Sequence, residues 1–138
     1  MSNQNQNIRK EVMKSLEPEI DGLIGKYLTP IEKIWQPSDF LPNSQSDNFL
    51  EEVKEIQEIS KELGDDFWIV LVGDMVTEEA LPTYESWIMD IDGVNQSPEN
   101  GWAKWVRQWT GEENRHGDVL NKYLYLSGRV NMREVEIS

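Results

Sequence analysis

The chain has 138 residues, enough for one compact domain, and it combines 38% hydrophobic with 28% charged residues, as soluble globular proteins do. It contains no cysteine, which excludes disulfides, catalytic thiolates and sulfur-ligated metals, and its formal net charge of −13 argues against nucleic acid as a partner. No apolar run approaches the roughly 20 residues of a membrane-spanning helix and the polar start is unlike a secretory signal, so the sequence predicts a soluble, cytoplasmic protein without a membrane partner.

The N-terminal part of the chain predicts one helix followed by a loop. Residues 1–7 form a polar leader that we expect to be frayed. Apolar residues recur at helical spacing from Ile8 to Tyr27, although Pro18 and Gly22 disfavour an uninterrupted helix there. Residues 28–48 are rich in proline and predict a loop.

Two further helices are predicted in the middle of the chain. An amphipathic helix runs from Phe49 to Leu63, with polar N-cap candidates just before it and Gly64 as its C-cap. An aspartate pair favours the start of the next helix, which Pro82 bends or breaks locally and Gly93 ends. Periodicity alone does not separate a buried strand from a buried helix at the opening of that segment, but the apolar spacing continues beyond it and favours the helix.

The last predicted helix has the strongest helical pattern. After a turn-rich connection at residues 93–101, apolar residues recur from Trp102 to Ser127, and Gly128 closes the helix. The C-terminal residues resemble the start of another helix. About four helices with short connections predict an all-α helix bundle.

The single histidine, His116, is the first candidate for chemistry. Glu113 lies three residues earlier, so the two side chains share one face of the helix. That face also carries Trp109 and Leu120, which predicts that a carboxylate and an imidazole point towards a core, where charge needs a partner or a metal. A buried Glu–His ion pair and a helix rotated towards solvent remain open, because Glu-x-x-His is common by chance.

The preceding helix offers a second carboxylate. Glu78 continues the apolar stripe of its helix whereas the adjacent Glu79 takes a different direction, and the pattern alone leaves the choice between them close. The pattern also leaves open that both carboxylates are solvated. One Glu on one helix and Glu-x-x-His on the next make half of the ligand set that ferritin-like di-iron bundles use. Carboxylates combined with imidazole suit iron or manganese.

The chain resembles the soluble acyl-acyl-carrier-protein desaturases of plants and bacteria in three long segments. These are WQPSDFLP at 35–42, GDMVTEEALPTY at 73–84 and WTGEENRHGDVLNKYLYLSGRVNMR at 109–133. They are far more specific than a bare Glu-x-x-His. The resemblance implies a ferritin-like di-iron bundle of which this chain is the N-terminal half, in one domain, because the family's third and fourth ligand-bearing helices do not follow.

The resemblance also implies roles for individual residues. Glu78 and His116 correspond to terminal ligands of one iron, and Glu113 corresponds to a carboxylate that bridges two irons. Thr77 and Trp109 correspond to positions near the cluster. Three positions that we predict to be helical correspond to the acyl channel: Trp87, Asp90 and Ile91.

The activity that the resemblance implies is the formation of a cis double bond in a saturated acyl chain held on acyl carrier protein. Two irons use O₂ and electrons from a ferredoxin-type donor, in a homodimeric enzyme of fatty acid biosynthesis. The acidic balance of this chain disfavours an acidic carrier unless a local basic patch exists. Two alternatives remain: a non-catalytic truncated remnant that associates through an exposed apolar face, and two copies that complete the ligand set together.

Overall fold

A computed structural model describes residues 3–94 and 100–137, and within these ranges every regular element is a helix. The all-α class predicted from the sequence is therefore confirmed. None of the helices in the described ranges has the length and apolar character that crossing a membrane requires. The α-helices are α1 (Asn3–Tyr27), α2 (Phe49–Ser60), α3 (Asp65–Glu79), α4 (Leu81–Met89), α5 (Gly101–Ser127) and α6 (Met132–Ile137), and two 3₁₀ turns occupy Ile31–Lys33 and Pro37–Asp39.

Helix α1 is longer and more continuous than its sequence predicts. It begins at Asn3, inside the stretch expected to be a frayed leader, and it passes through Pro18 without a break. The residues from Gln4 to Lys10 are exposed. Because glutamine has a good helix propensity, the first turn of α1 forms without packing against another element. Residues 1 and 2 lie outside the described part of the chain.

The predicted long third helix is divided in two. Helix α3 ends at Glu79, Ala80 is its C-cap, and α4 begins at Leu81. Pro82 is the second residue of α4, where its missing N–H has no helical partner to lose. Of the two effects predicted for Pro82, a bend or a local break, the structure shows the break. Gly93 adopts a left-handed backbone with φ of 94° in the turn that follows α4.

Helix α2 ends earlier than predicted. It ends at Ser60. The N–H groups of the next three residues each donate to a carbonyl three residues earlier, so the α-helical pattern of bonds four residues apart gives way to 3₁₀-type bonds. Gly64 has φ of −69° and is the N-cap of α3, so its predicted role as the C-cap of α2 is wrong. Gly128, with φ of 66°, closes α5 as predicted.

The chain divides into two compact units. The first unit contains Met1–Ile34 and Leu81–Glu112. Within it, the Asn100 side-chain amide donates to Glu17 Oε1 at 3.0 Å and to the Gly93 carbonyl at 3.1 Å. These bonds connect the start of α5 to α1 and to the turn after α4. The predicted connection over residues 93–101 falls partly outside the described residues, because 95–99 are not described.

The second unit contains Trp35–Ala80 and Glu113–Ser138. Its core is built on α3, α5 and α6, from Trp68, Met75, Leu124 and Met132. Seven partly buried apolar side chains pack around these four: Leu63, Leu71, Val72, Leu120, Tyr123, Val130 and Val135. This core packs α3 against the second half of α5, which brings polar side chains of the two helices together.

Candidate metal centre

Three side chains of the second unit converge where α3 meets α5. Glu78 comes from the last turn of α3, and Glu113 and His116 come from α5. One ligand atom from each lies within 4.8 Å of the others. Glu113 and His116 are three residues apart on one helix, which places them side by side on one face. The structure therefore brings together the three residues that the sequence singled out, while their role as metal ligands stays a prediction.

The contact between His116 and Glu113 is close. His116 Nδ1 lies 3.0 Å from Glu113 Oε2, a distance that fits a hydrogen bond in which a protonated Nδ1 donates to the carboxylate. Two ligand atoms at right angles on one ion, with bonds of about 2.1 Å, would also be separated by roughly 3.0 Å. The pair is therefore spaced for either a direct hydrogen bond or a shared cation.

Glu78 is the electrostatically unfavourable member of the group. Partial burial raises the pKa of its carboxyl above the ordinary value, and the nearby negative charge of Glu113 raises it further, while His116 acts in the opposite direction. Its Oε2 atom is buried and accepts no hydrogen bond from the described residues. A bound cation would neutralise the repulsion between the carboxylates and occupy the oxygen that lacks a donor.

The group is partly open to solvent. The His116 side chain is 40% exposed and that of Glu113 is 21% exposed. The sequence predicts that both point into a core, whereas the structure places them at its margin. Such a position retains open coordination sites, which a catalytic metal needs and a closed structural site lacks.

Gly117 on α5 lies directly against Glu78 and Glu79 at the end of α3. A Cβ atom at this position would be 3.4 Å from Glu78 Cβ and 3.5 Å from Glu79 Cγ, which is ordinary van der Waals contact. Alanine therefore fits, but a longer side chain has little room, because Gly117 is buried. We expect the spacing between Glu78 and the candidate ligands on α5 to depend on this small residue.

We expect Gly117→Ala to keep the metal site and to stabilise α5 by up to about 1 kcal/mol, because glycine is a poor helix former. Gly117→Leu should destabilise the fold by about 1–3 kcal/mol through overpacking and weaken metal binding by moving Glu78 away. Thermal unfolding and metal titration of both variants test this. Equal metal affinity in the leucine variant would contradict a role of Gly117 in setting this spacing.

The two residues predicted to lie near the cluster have identifiable contacts. The Thr77 hydroxyl donates to the Gly73 carbonyl at 2.9 Å, within α3. The Trp109 ring stacks on Trp105 in the first unit, with centroids 5.9 Å apart and an interplanar angle of 8°. Both neighbour a candidate ligand along their own helices, Thr77 by one residue and Trp109 by one turn. A role of either at a metal remains a prediction.

The predicted channel residues are near the end of α4, and the structure changes their description. Trp87 lies within α4, is 65% exposed and meets the Tyr84 ring edge-on at 5.8 Å. Asp90 and Ile91 follow the last residue of α4, so the prediction that they occupy helix positions is wrong. The short helix α4 ends at Met89, so the helical periodicity of the sequence does not continue to Asp90 and Ile91.

One contact at the site was not predicted. Trp35 lies two residues before Pro37, the first residue of the second 3₁₀ turn. Its ring stacks on the ring of His116. The two residues are far apart in the chain, so helical spacing gives no signal for this contact. The segment WQPSDFLP singled out in the sequence contains Trp35, but its residues alone do not show what the ring touches.

Comparison with known proteins shows which family the chain matches and which proteins it is similar to. A family model described as "Fatty acid desaturase" matches residues 8–138. The chain is 57% identical over 129 residues to stearoyl-[acyl-carrier-protein] 9-desaturase 5, chloroplastic, of Arabidopsis thaliana, and 55% identical over 129 residues to stearoyl-[acyl-carrier-protein] 9-desaturase, chloroplastic, of Ricinus communis. Each match covers 91% of this chain and 33% of the relative, so the chain spans about a third of the length of these relatives. The predicted resemblance is thereby confirmed.

Proposed function

We propose that this chain, which belongs to the fatty acid desaturase family, is part of an acyl-[acyl-carrier-protein] desaturase and contributes half of its di-iron site. The observation that carries this proposal is the convergence of Glu78, Glu113 and His116 on one point. Ferritin-like di-iron bundles take a Glu from each of two helices and a Glu-x-x-His from each of two others. Helices α3 and α5 provide one of each, in an all-α fold of the ferritin-like class.

Iron fits the donor set of the site. Two carboxylates and one imidazole combine hard oxygen ligands with a borderline nitrogen ligand, which suits iron or manganese. Glu78 and His116 would be terminal ligands of one iron, and Glu113 would bridge to a second iron. The elevated pKa of Glu78, caused by burial and by Glu113, supports the need for a cation among these groups.

The chemistry divides between the metal and the protein. When bound, the two irons would supply O₂ activation for removing two hydrogens from neighbouring methylenes, with O₂ reduced to water by two added electrons and two protons. Glu78 must lose its proton to serve as a ligand, and Glu113 keeps His116 oriented through the 3.0 Å contact. We place Thr77 and Trp109 near the cluster, and Trp87, Asp90 and Ile91 along the acyl channel.

The partners of the reaction follow from the relatives. The named relatives are stearoyl-[acyl-carrier-protein] desaturases, which supports a saturated acyl chain on acyl carrier protein as the substrate class. We further propose a ferredoxin-type electron donor, a homodimeric enzyme and membership of both compact units in one ferritin-like domain. The relatives' names place them in chloroplasts. For this chain we propose the cytoplasm, with cell fractionation as the test.

A chimeric enzyme tests the function directly. The segment of the Ricinus communis relative that aligns with this chain would be replaced by this chain, and desaturation of stearoyl-acyl carrier protein would be measured by gas chromatography. We expect the chimera to form the double bond and its His116→Ala version to lose more than about 100-fold of the activity, beyond the range for an outer-shell residue. Full activity in a folded His116→Ala chimera, or an iron-loaded wild-type chimera without activity, would contradict the proposal.

An alternative function has a specific observation in its favour. Ile69, Val70 and Val76 on α3 are exposed, and α3 is apolar on most sides, as expected of a helix that is covered in its working state. A non-catalytic role, in which this face associates with another chain or a second copy, would use the same surface. Analytical ultracentrifugation with metal analysis distinguishes the desaturase function from the non-catalytic role. Association of the chain in the absence of metal, together with no iron uptake, favours the non-catalytic role.

A further inference from the structure

Trp35 makes a ring contact with the candidate ligand His116 that the proposed ligand set does not require. We propose that Trp35 is a positioning residue, which holds the His116 imidazole in the orientation needed to bind a metal ion. The inference rests on the proposed function, because it concerns the same site. It adds a residue from outside α3 and α5, contributed by the loop between α1 and α2.

The two rings are arranged as a stacked pair. Their centroids are 5.7 Å apart and their planes differ by 15°, which lies within the range of favourable offset stacking. The guanidinium carbon of Arg115 lies 5.6 Å from the Trp35 ring centroid, close enough for a cation–π interaction. Two consecutive α5 residues therefore contact one indole ring.

Trp35 is held by a short and constrained loop. The Phe40 ring meets the Trp35 ring edge-on, with centroids 5.5 Å apart and an interplanar angle of 71°. The Gln36 N–H donates to Asp39 Oδ2 at 2.8 Å, and the Asp39 N–H donates back to the Gln36 carbonyl at 2.9 Å. Pro37 is buried and fixes the backbone between them. Because the loop is stiffened on both sides of its turn, the indole ring is already in place before a metal arrives.

The stack supplies a restraint that Glu113 cannot. The 3.0 Å contact between His116 Nδ1 and Glu113 Oε2 acts at one edge of the imidazole and in its plane, so the ring can still tilt about that contact. A partner on the face of the ring opposes tilting and rotation. The His116 side chain is 40% exposed, so the stack acts on a ring that the core does not enclose. Restricting the ring in advance reduces the entropy lost when a metal binds.

The chain contains one histidine, so imidazole NMR signals report His116 without ambiguity. We expect the metal-free chain to show ring-current shifts of the His116 Hδ2 and Hε1 protons, caused by the indole face. Trp35→Leu should move both signals towards their random-coil positions, whereas Trp35→Phe should retain much of the shift because a stacking ring remains. Tyr125→Leu is the matched control, since it removes an exposed aromatic ring from α5 and should leave the signals unchanged.

Metal affinity provides the second readout. We expect Trp35→Leu to weaken Co²⁺ binding by about tenfold, the lower end of the range for residues that support a ligand, and Trp35→Phe to restore most of it. Far-UV circular dichroism and thermal melts establish that all variants are folded. Unchanged His116 signals in a folded Trp35→Leu variant would overturn the inference, as would equal losses of affinity in the phenylalanine and leucine variants. A folded wild-type chimera that takes up no iron would contradict the proposed function, while ring-current shifts of His116 in this chain would still establish the stack itself.

Discussion

Glu78→Gln is expected to weaken metal binding by more than about 100-fold, whereas Glu79→Gln should stay within about twofold of the wild type. The first change removes a charged ligand atom from a group whose members lie within 4.8 Å of one another. Glu79 is directed elsewhere, because its Oε1 accepts a 2.7 Å hydrogen bond from the Asn121 amide, and glutamine can keep that acceptor. Anaerobic Fe²⁺ titration of both variants measures the difference.

This adjacent pair is a matched control, since both substitutions remove one negative charge from neighbouring residues at the end of α3. A general electrostatic effect of the charge would lower affinity similarly in both variants. Equal losses would therefore show that the site attracts cations without using Glu78 as a ligand. A larger loss for Glu79→Gln would show that Glu79 and Glu78 have been assigned in the wrong order.

The same substitution should have the opposite effect on the metal-free fold. The folded pKa of Glu78 is raised by burial and by Glu113, so the folded state holds its proton more tightly than the unfolded state does. The stability that this proton contributes is fully present below the unfolded pKa and is lost as pH rises through the folded pKa. At neutral pH we therefore expect Glu78→Gln to melt above the wild type, with the difference shrinking as pH falls through the elevated pKa. Melting curves across that range test the sign.

Leu124→Ala is expected to lower the free energy of unfolding by about 2–5 kcal/mol. Leu124 is 0% exposed and packs in the cluster that joins α3, α5 and α6, so truncation leaves a cavity between the helices that carry the ligands. Urea unfolding followed by circular dichroism gives the value. We expect metal affinity to fall too, because Met75, one turn before Glu78, loses its packing partner on α5.

Leu50→Ala is the control for this prediction. Leu50 is on α2 and 68% exposed, so the same change of side chain should alter stability by less than about 0.5 kcal/mol. A comparable loss at both positions would mean that the cluster around Leu124 is not the core of its unit. A stable Leu124→Ala variant with intact metal affinity would show that the ligand geometry does not depend on this packing.

The convergence of the three candidate ligands was largely predictable, because it follows from helical periodicity. Three-residue spacing fixed Glu113 beside His116, and the apolar stripe of α3 pointed to Glu78. The choice between Glu78 and Glu79 stayed close in the pattern alone. A tertiary contact, the hydrogen bond from the Asn121 amide to Glu79, now favours Glu78, but its partners are on different helices and periodicity does not connect them.

Other features depended on information that local spacing does not contain. Pro82 predicted either a bend or a local break, and the structure shows a break because Pro82 falls in the first turn of a new helix. Helix α2 ends early because three consecutive tight turns follow Ser60. The apolar pattern continues across these turns and therefore does not reveal them. The stack of Trp35 on His116 joins a loop to a helix through the fold, and no periodicity connects them.

The partial exposure of His116 has a consequence for how the proposed ion would enter the site. Water reaches the imidazole directly in the folded second unit, so an arriving cation can exchange its hydration shell for protein ligands at the surface of that unit. Uptake should then follow the supply of free ion, and no unfolding event needs to precede it. A chelator should strip the ion at a rate set by ligand exchange, with the helices remaining intact throughout.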